Sequence, residues 1–257
     1  MNIYQHFRPE EREFIDQVIN WKTMVEQNYS AKLTDFLDPR EQHIVKVITG
    51  ESGDVKYSFF GGSEGVERKR AFIYPDYLIP AKDDFQITLL NIEYPKKFVK
   101  IEHPQVLGTL MSLGLKRGKF GDILIKNDTI QFFSALEVSE YIKSNIESIG
   151  KAGVKLVEAP LETAVSVLDL WEELELTVSS LRLDTVISAI HHISRQKSLV
   201  LIKQGLVKVN WATIENSSFL CDEGDMVSVR GFGRVKILNL EGKTKKDKWR
   251  IKIGIQK

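Results

Sequence analysis

Leu181-Arg182-Leu183-Asp184-Thr185-Val186-Ile187-Ser188-Ala189-Ile190, then Ser194-Arg195-Gln196-Lys197-Ser198, then Gly205-Leu206-Val207-Lys208-Val209-Asn210, then Glu223-Gly224-Asp225-Met226-Val227-Ser228-Val229: these four segments decide how the last third of the chain folds. Leu183, Val186, Ile187, Ile190 and Ile193 recur at helical spacing, giving residues 181–193 an apolar helix face. Ser194 suits an N-cap for a second helix over 195–204, and Gly205 suits its stop. The β-branched runs beyond it read as strands. Arg195 and Lys197 leave the first turn of the second helix beside backbone N–H groups that also favour anions. Lys203 and Lys208 flank the glycine stop. Such cations suit a run of phosphates, where each neutralised charge releases a counterion. No nucleophile, base and orienting partner come together in these segments.

Charge supports the same division. Residues 180–257 hold 15 Lys and Arg against 7 Asp and Glu, a net +8, while the whole chain carries only +1. Residues 1–179 therefore carry −7. A basic end on an acidic body points to one polyanion-facing surface, with a solvated basic tail as the alternative. The chain's 257 residues allow two or three domains. With 42% hydrophobic and 28% charged residues, the composition is that of a soluble globular protein. No apolar run approaches the roughly 20 residues of a bilayer span. The start, Met1-Asn2-Ile3-Tyr4-Gln5-His6, lacks the features of a signal peptide, so a cytoplasmic location is expected. A lone cysteine, Cys221, excludes an internal disulfide framework and a multi-cysteine zinc site. Neither metal nor cofactor is expected.

Reading outward gives an α+β chain of three small domains. The boundaries fall at 1–80 (mixed α+β), 81–160 (ferredoxin-like), a connector at 161–179, and 180–257. In the first, residues 9–28 are helical, with Pro9 at the first position and Phe14, Val18, Trp21 and Val25 at helical spacing. A second helix follows Asp38-Pro39 and stops at Gly50. Val55–Phe60 and Ala71–Tyr74 read as a hairpin around Gly61-Gly62-Ser63-Glu64-Gly65. That loop lacks the Lys-Ser/Thr ending of a phosphate-binding P-loop and is turn chemistry. Arg68-Lys69-Arg70 reads as a solvated or edge-protecting feature, with phosphate contact as the alternative.

The middle domain has the order βαββαβ, shared by RNA-recognition modules and many unrelated proteins. Its central strand, Thr129-Ile130-Gln131-Phe132-Phe133-Ser134, lacks their basic-aromatic fingerprint, and Thr88 stands where a stacking aromatic is expected. Lys116, Arg117 and Lys119 offer a basic loop, read as a solvated turn with phosphate contact as the alternative. A strand is expected over 174–178, and Glu172, Glu173 and Glu175, close together at its start, read as a solvated acidic face. His191-His192, pointing about 100° apart, cannot readily share a metal. The run from Gly242 to Arg250 reads as a hairpin turn with incidental phosphate contacts.

The four C-terminal segments resemble the S-four RNA-binding domain (alpha-L motif), named after ribosomal small-subunit protein four, over residues 180–237. Ser198 replaces a small apolar residue, and Trp211 stands where that family usually has glycine, putting the usual turn in question. The whole chain resembles the YlmH family of Gram-positive bacteria. The resemblance is carried by the opening Ile3-Tyr4-Gln5-His6-Phe7-Arg8-Pro9-Glu10-Glu11, by Leu33-Thr34-Asp35-Phe36-Leu37-Asp38-Pro39-Arg40, and by Gly231-Phe232-Gly233-Arg234. It implies binding to the large ribosomal subunit; a monomeric, non-enzymatic factor is expected. The implied ligands are ribosomal RNA and, as a second, tRNA. The implied task is handling obstructed subunits that carry peptidyl-tRNA, with a link to cell division. The expected RNA contacts are Arg182, Arg195, Gln196, Lys197, Lys203, Lys208, Asn210, Arg230 and Arg234, with Asp184 orienting Arg182 or capping a helix. Two alternatives stand beside this reading. One is an RNA-modifying enzyme like a pseudouridine synthase, whose Arg-Leu-Asp signature residues 182–184 superficially echo. The other is an adaptor linked to cell division.

Overall fold

Ile15, Val18 and Val25 recur along α1 (Arg12–Asn28) and are its fully buried residues, so the helix lays one stripe on a core. Phe14 and Trp21 pack edge to face beside that stripe, their ring centroids 5.9 Å apart. The computed structural model describes residues 7, 11–166 and 171–256. The expected helix start at Pro9 and most of the 3–11 segment therefore lie outside the described residues. After β1 (Lys32–Leu37) comes α2 (Pro39–Thr49). Asp38 and Glu41 form a reciprocal capping box there, with Pro39 in the first turn, an arrangement worth about 1 kcal/mol. The hairpin of β2 (Val55–Phe60) and β3 (Lys69–Pro75) completes a three-stranded sheet of order β1-β3-β2. β1 is absent from the sequence reading, because Lys32-Leu33-Thr34-Asp35 alternates too weakly to declare itself as a strand.

Next come β4 (Ile87–Glu93), α3 (His103–Ser112), β5 (Phe120–Lys126) and β6 (Thr129–Ala135). They are followed by α4 (Ser139–Asn145), a two-residue hairpin of β7 (Ser148–Ile149) and β8 (Ala152–Gly153), and β9 (Lys155–Ala159). The sheet order β5-β6-β4-β9, antiparallel throughout, is the ferredoxin-like arrangement. Leu90, Ile92, Ile130 and Phe132 face the helices, packing with Val106, Leu110 and Ile142. Thr88 shares that face by strand alternation and is nearly buried, so it does not occupy the stacking position assigned to it.

The opposite face, where an RNA-recognition module stacks bases, is covered. Leu89, Leu124, Phe133 and Ala135 form one core with Phe36 and Val66 from the N-terminal part. Gly62 lies so close to Phe133 that a Cβ there would sit 2.3 Å from the ring, and its φ of +106° favours glycine as well. Gln131 staples residues 161–165 over the same face, donating to the Thr163 carbonyl at 3.3 Å and accepting from Val165 N–H at 2.8 Å.

The basic clusters of this part are internal clamps. Arg70, 4% exposed, donates to the carbonyls of Thr34 (2.7 Å) and Gln86 (2.9 Å) and pairs with Glu137 at 3.2 Å. Arg68 donates to the Phe36 carbonyl, while Asp122 accepts from the backbone N–H groups of Glu67 and Arg68. Lys119 bridges Asp35 (2.7 Å) and Glu137 (3.0 Å), and the Arg117 guanidinium caps the carbonyls of Phe120 and Gly121. Arg68, Arg70, Arg117 and Lys119 are therefore not the solvated cations read from the sequence, while Lys116 is exposed as that reading expects. Buried carbonyls and carboxylates without cations would be costly, and these side chains supply the partners.

The remaining described residues belong to a second compact unit. It comprises β10 (Trp171–Val178), α5 (Leu183–Ile190), α6 (Arg195–Lys203), β11 (Val207–Val209), β12 (Ala212–Thr213), β13 (Met226–Val229), β14 (Gly233–Lys243) and β15 (Trp249–Gln256). The six strands run β10-β15-β14-β13-β11-β12 in one antiparallel sheet. β10 therefore pairs with the last strand of the chain; residues 171–178 are part of the sheet. Val207, Val209, Val227, Val229, Val235 and Ile237 face Leu183, Val186, Ile187, Ile190 and Ile202 of the two helices. Residues 244–248 turn between β14 and β15, as the sequence reading of a hairpin expects.

Candidate nucleic-acid interface

α5 begins with Asp184 in its first turn, and that carboxylate is 1% exposed. It is buried because three neighbours satisfy it. Arg182 grips it with two bonds, Nε to Oδ1 at 3.1 Å and Nη2 to Oδ2 at 3.3 Å. Arg195 Nε donates to Oδ2 at 2.9 Å, and Thr185 N–H to Oδ1 at 3.0 Å. Asp184, acidic in the first turn and accepting from the Thr185 N–H there, orients Arg182 and, from the next helix, Arg195 as well. Arg195 remains 56% exposed, so its outward Nη groups stay available to an anion. Burial alone would push the Asp184 carboxyl up; the hydrogen bonds from Arg182 and Arg195, with their charges, outweigh it and hold the carboxyl below its ordinary value.

A carboxyl with a depressed folded-state pKa stabilises the fold above its unfolded pKa, and loses that contribution as pH falls through the folded one. Asp184→Asn should therefore cost about 2 kcal/mol at neutral pH, since one amide oxygen cannot accept both arginine forks. Below about pH 4 the wild-type advantage should shrink, which paired urea melts across pH would read.

Ser194 caps α6, accepting from Lys197 N–H at 3.2 Å, as expected from the sequence. Ser198 is fully buried against the Ser194 carbonyl, so a hydroxyl is accommodated where a small apolar residue is usual. Gln196 and Lys197 are exposed on the first turn, and Lys203 lies at the helix end, before Gly205 at φ +68°. Lys208 on β11 lies opposite Ser228 on β13, which lies opposite Arg234 on β14. The three form a cross-strand row on the face away from the core, placing Lys208 and Arg234 roughly 10 Å apart across two strand spacings. Arg230 is exposed at the end of β13, its backbone tied to Leu206. Among the described residues, Lys203, Lys208 and Arg230 have no ion-pair partner within 4.0 Å.

Asn210 is committed to the fold at both ends of its amide, donating to Asp225 at 2.7 Å and accepting from Met226 N–H at 2.9 Å. Asn210 and Trp211, at φ +49° and +65°, make a two-residue turn between β11 and β12. The turn survives without its usual glycine, at a strain of roughly 1 kcal/mol for tryptophan in the left-handed region.

Phe232 is the side chain that sequence reading passed over. Its ring lies 5.6 Å from Lys197 Nζ and 5.0 Å from the His191 ring, tying the turn after β13 to the helix start. Its signal was Gly231-Phe232-Gly233, in which the flanking residues take φ of +85° and +95°. Burial, with His192 adding, lowers the His191 pKa and favours the neutral ring. Burial, with Asp225 adding, pushes the Cys221 thiol up to about 12, which removes it as a nucleophile near neutral pH. Among the described residues no cluster of His, Cys, Asp and Glu is placed to hold a metal ion, and no helix is long and apolar enough to cross a membrane.

Comparison with known proteins accounts for this geometry. Residues 181–227 match the family profile of the S4 domain, the S-four module of the sequence reading. Residues 10–78 match the N-terminal domain of YlmH, and residues 80–163 the proposed RNA-binding domain in YlmH. The ribosome-associated protein quality control protein P2 of Bacillus subtilis (strain 168) is 47% identical over 257 residues, spanning 100% of this chain and 99% of that protein. The chain belongs to the YlmH family. A solved YlmH structure, the cell division protein of Streptococcus pneumoniae, superposes with a TM-score of 0.54 at 33% identity, covering 64% of this chain and all of that one. The YlmH resemblance and the α+β class read from the sequence are both borne out.

Proposed function

We propose that this chain is a non-enzymatic, cytoplasmic RNA-binding factor that grips ribosomal RNA on the large subunit, with tRNA as a second ligand. It acts as a monomer in the rescue of obstructed subunits that carry peptidyl-tRNA. The three-domain division at residues 80, 160 and 180 belongs to the same reading. One observation carries it: the buried Asp184 carboxylate fixes two arginines beside the free N–H groups of α6, leaving exposed cations aimed at solvent. That is a preorganised site for successive phosphates. Arg182, Arg195 and Lys197 make the first contacts; Lys203, Lys208, Arg230 and Arg234 extend them along the sheet. Gln196 adds a neutral polar contact, whereas Asn210, its amide spent on Asp225 and Met226, holds the turn beside the site. The name of the Bacillus relative supports the ribosomal assignment.

Asp184 argues against a pseudouridine synthase, because a catalytic aspartate must reach its uridine and this one is enclosed by two guanidiniums. The second reading, an adaptor linked to cell division, is favoured by the name of the Streptococcus relative. Crosslinking the tagged full-length chain in cells and sequencing the bound RNA separates these. Large-subunit ribosomal RNA should dominate the reads; recovery of messenger RNA in its place would reject the ribosomal reading.

A further inference from the structure

Phe98 is 86% exposed, an unusual position for a phenylalanine, and it stands in the run Tyr94-Pro95-Lys96-Lys97-Phe98-Val99-Lys100 between β4 and α3. This run is a fixed turn. The Pro95 carbonyl accepts from Phe98 N–H at 3.0 Å and from Val99 N–H at 3.3 Å. Tyr94 and Val99 pack on the core beneath it, Ile101 is buried there, and the Tyr94 hydroxyl reaches the Asp128 carbonyl at 3.4 Å. A loop anchored on both sides holds its apolar tip in water without collapsing onto the protein.

The surrounding charge is uncompensated. Among the described residues, Lys96, Lys97 and Lys100 form no ion pair within 4.0 Å and no side-chain hydrogen bond. The sheet register brings further lysines to the same end: Lys155 lies opposite Glu93 on the neighbouring strand, and Lys126 closes β5 beside Asn127-Asp128. Glu93, Glu102 and Asp128 are the carboxylates of these segments, against Lys96, Lys97, Lys100, Lys126 and Lys155, so cations prevail. Arg68 and Arg70, and Arg117 and Lys119, are consumed inside the fold; the lysines of this run are not. The conventional stacking face of the same domain is also closed, by Phe36, Val66 and residues 161–165.

We infer that the Pro95–Lys100 turn is a second RNA contact, in which Phe98 stacks on an unpaired base while Lys96, Lys97 and Lys100 hold the flanking phosphates. An exposed aromatic among exposed ammonium groups is the arrangement that tracks single strands, since every base offers a π-face and every nucleotide a charge. Paired bases are unavailable to Phe98, so the site selects loops, bulges or ends. The inference rests on the RNA-binding reading above and deepens it by adding a contact outside the C-terminal module.

Fluorescence anisotropy of the full chain with a labelled short oligouridylate tests it. Phe98→Ala should weaken binding about tenfold, Phe98→Trp should retain it, and the triple Lys96→Ala/Lys97→Ala/Lys100→Ala variant should flatten the log–log salt slope by about 2. A Phe98→Ala affinity within about twofold of wild type overturns the inference. A base-paired hairpin RNA, measured in parallel with Arg195→Ala/Lys197→Ala, keeps the two readings apart. If that variant loses the hairpin while Phe98→Ala loses nothing, only the second contact falls; if neither variant loses RNA, the RNA-binding reading falls with it.

Discussion

Replacing Arg195 and Lys197 together with alanine should lower the affinity of the full chain for structured RNA about twentyfold near 0.15 M salt, and flatten the log–log salt dependence by about 1.5. The number follows from counterion release. Each phosphate neutralised contributes roughly 0.7–0.9 to the slope, and two lost contacts remove the corresponding power of the salt concentration. Both side chains reach solvent from the first turn of α6. The variant should stay folded, because Asp184 keeps its two-point grip from Arg182 and the Thr185 N–H, and the stability loss should remain below about 2 kcal/mol. Filter binding across a salt series reads the slope directly. A slope equal to wild type, with a native melting profile, would remove these two residues from the interface.

The parts of this site that sequence reading reached are those set by neighbours close in the chain. Ser194 capping three residues on, the helix stop at Gly205, and Arg182 meeting Asp184 two residues away are local geometry. The βαββαβ order was legible for the same reason, since each element carries its own period and its own turn. What escaped depends on distant partners. Arg195 reaching Asp184 from another helix, and Phe232 closing on Lys197, are contacts between segments whose approach no periodicity encodes. The same holds for the basic runs in the first two-thirds. Arg68, Arg70 and Lys119 look from the sequence like solvent-facing cations, and only the fold reveals the carbonyls and carboxylates of Thr34, Asp35, Phe36, Gln86 and Glu137 waiting for them. Composition counts charges without saying which are spent, so the overall acidity of residues 1–179 conceals both the clamps and the unspent lysines around Phe98.

Arg70→Ala should be the most damaging single change in the first unit, costing about 3 kcal/mol or more. The guanidinium is 4% exposed and joins β1, the residue before β4 and the start of the segment leading to α4 through Thr34, Gln86 and Glu137. Truncation takes the guanidinium donor from the Thr34 carbonyl and leaves the Gln86 carbonyl with the Leu136 N–H, in a site that alanine cannot fill. Glu137 is only partly orphaned, because Lys119 still pairs with it, which keeps the cost near the lower end for a broken buried pair. Burial would raise the Glu137 carboxyl; its own backbone N–H, Lys119 and Arg70 together hold it below its ordinary value. Its contribution is therefore present above the unfolded glutamate pKa and fades as pH falls through the folded one, so the Arg70 variant should lose less than wild type on acidification. Arg70→Lys should rescue little, since one ammonium cannot span both carbonyls and a carboxylate in the fork geometry of arginine. Hydrogen exchange locates the damage: amides of β1, β3 and β6 should lose protection while those of α5 and β13 keep theirs. Equal protection in all five elements, with an unchanged urea midpoint, would mean that the buried guanidinium contributes no net stability where it meets Thr34, Gln86 and Glu137.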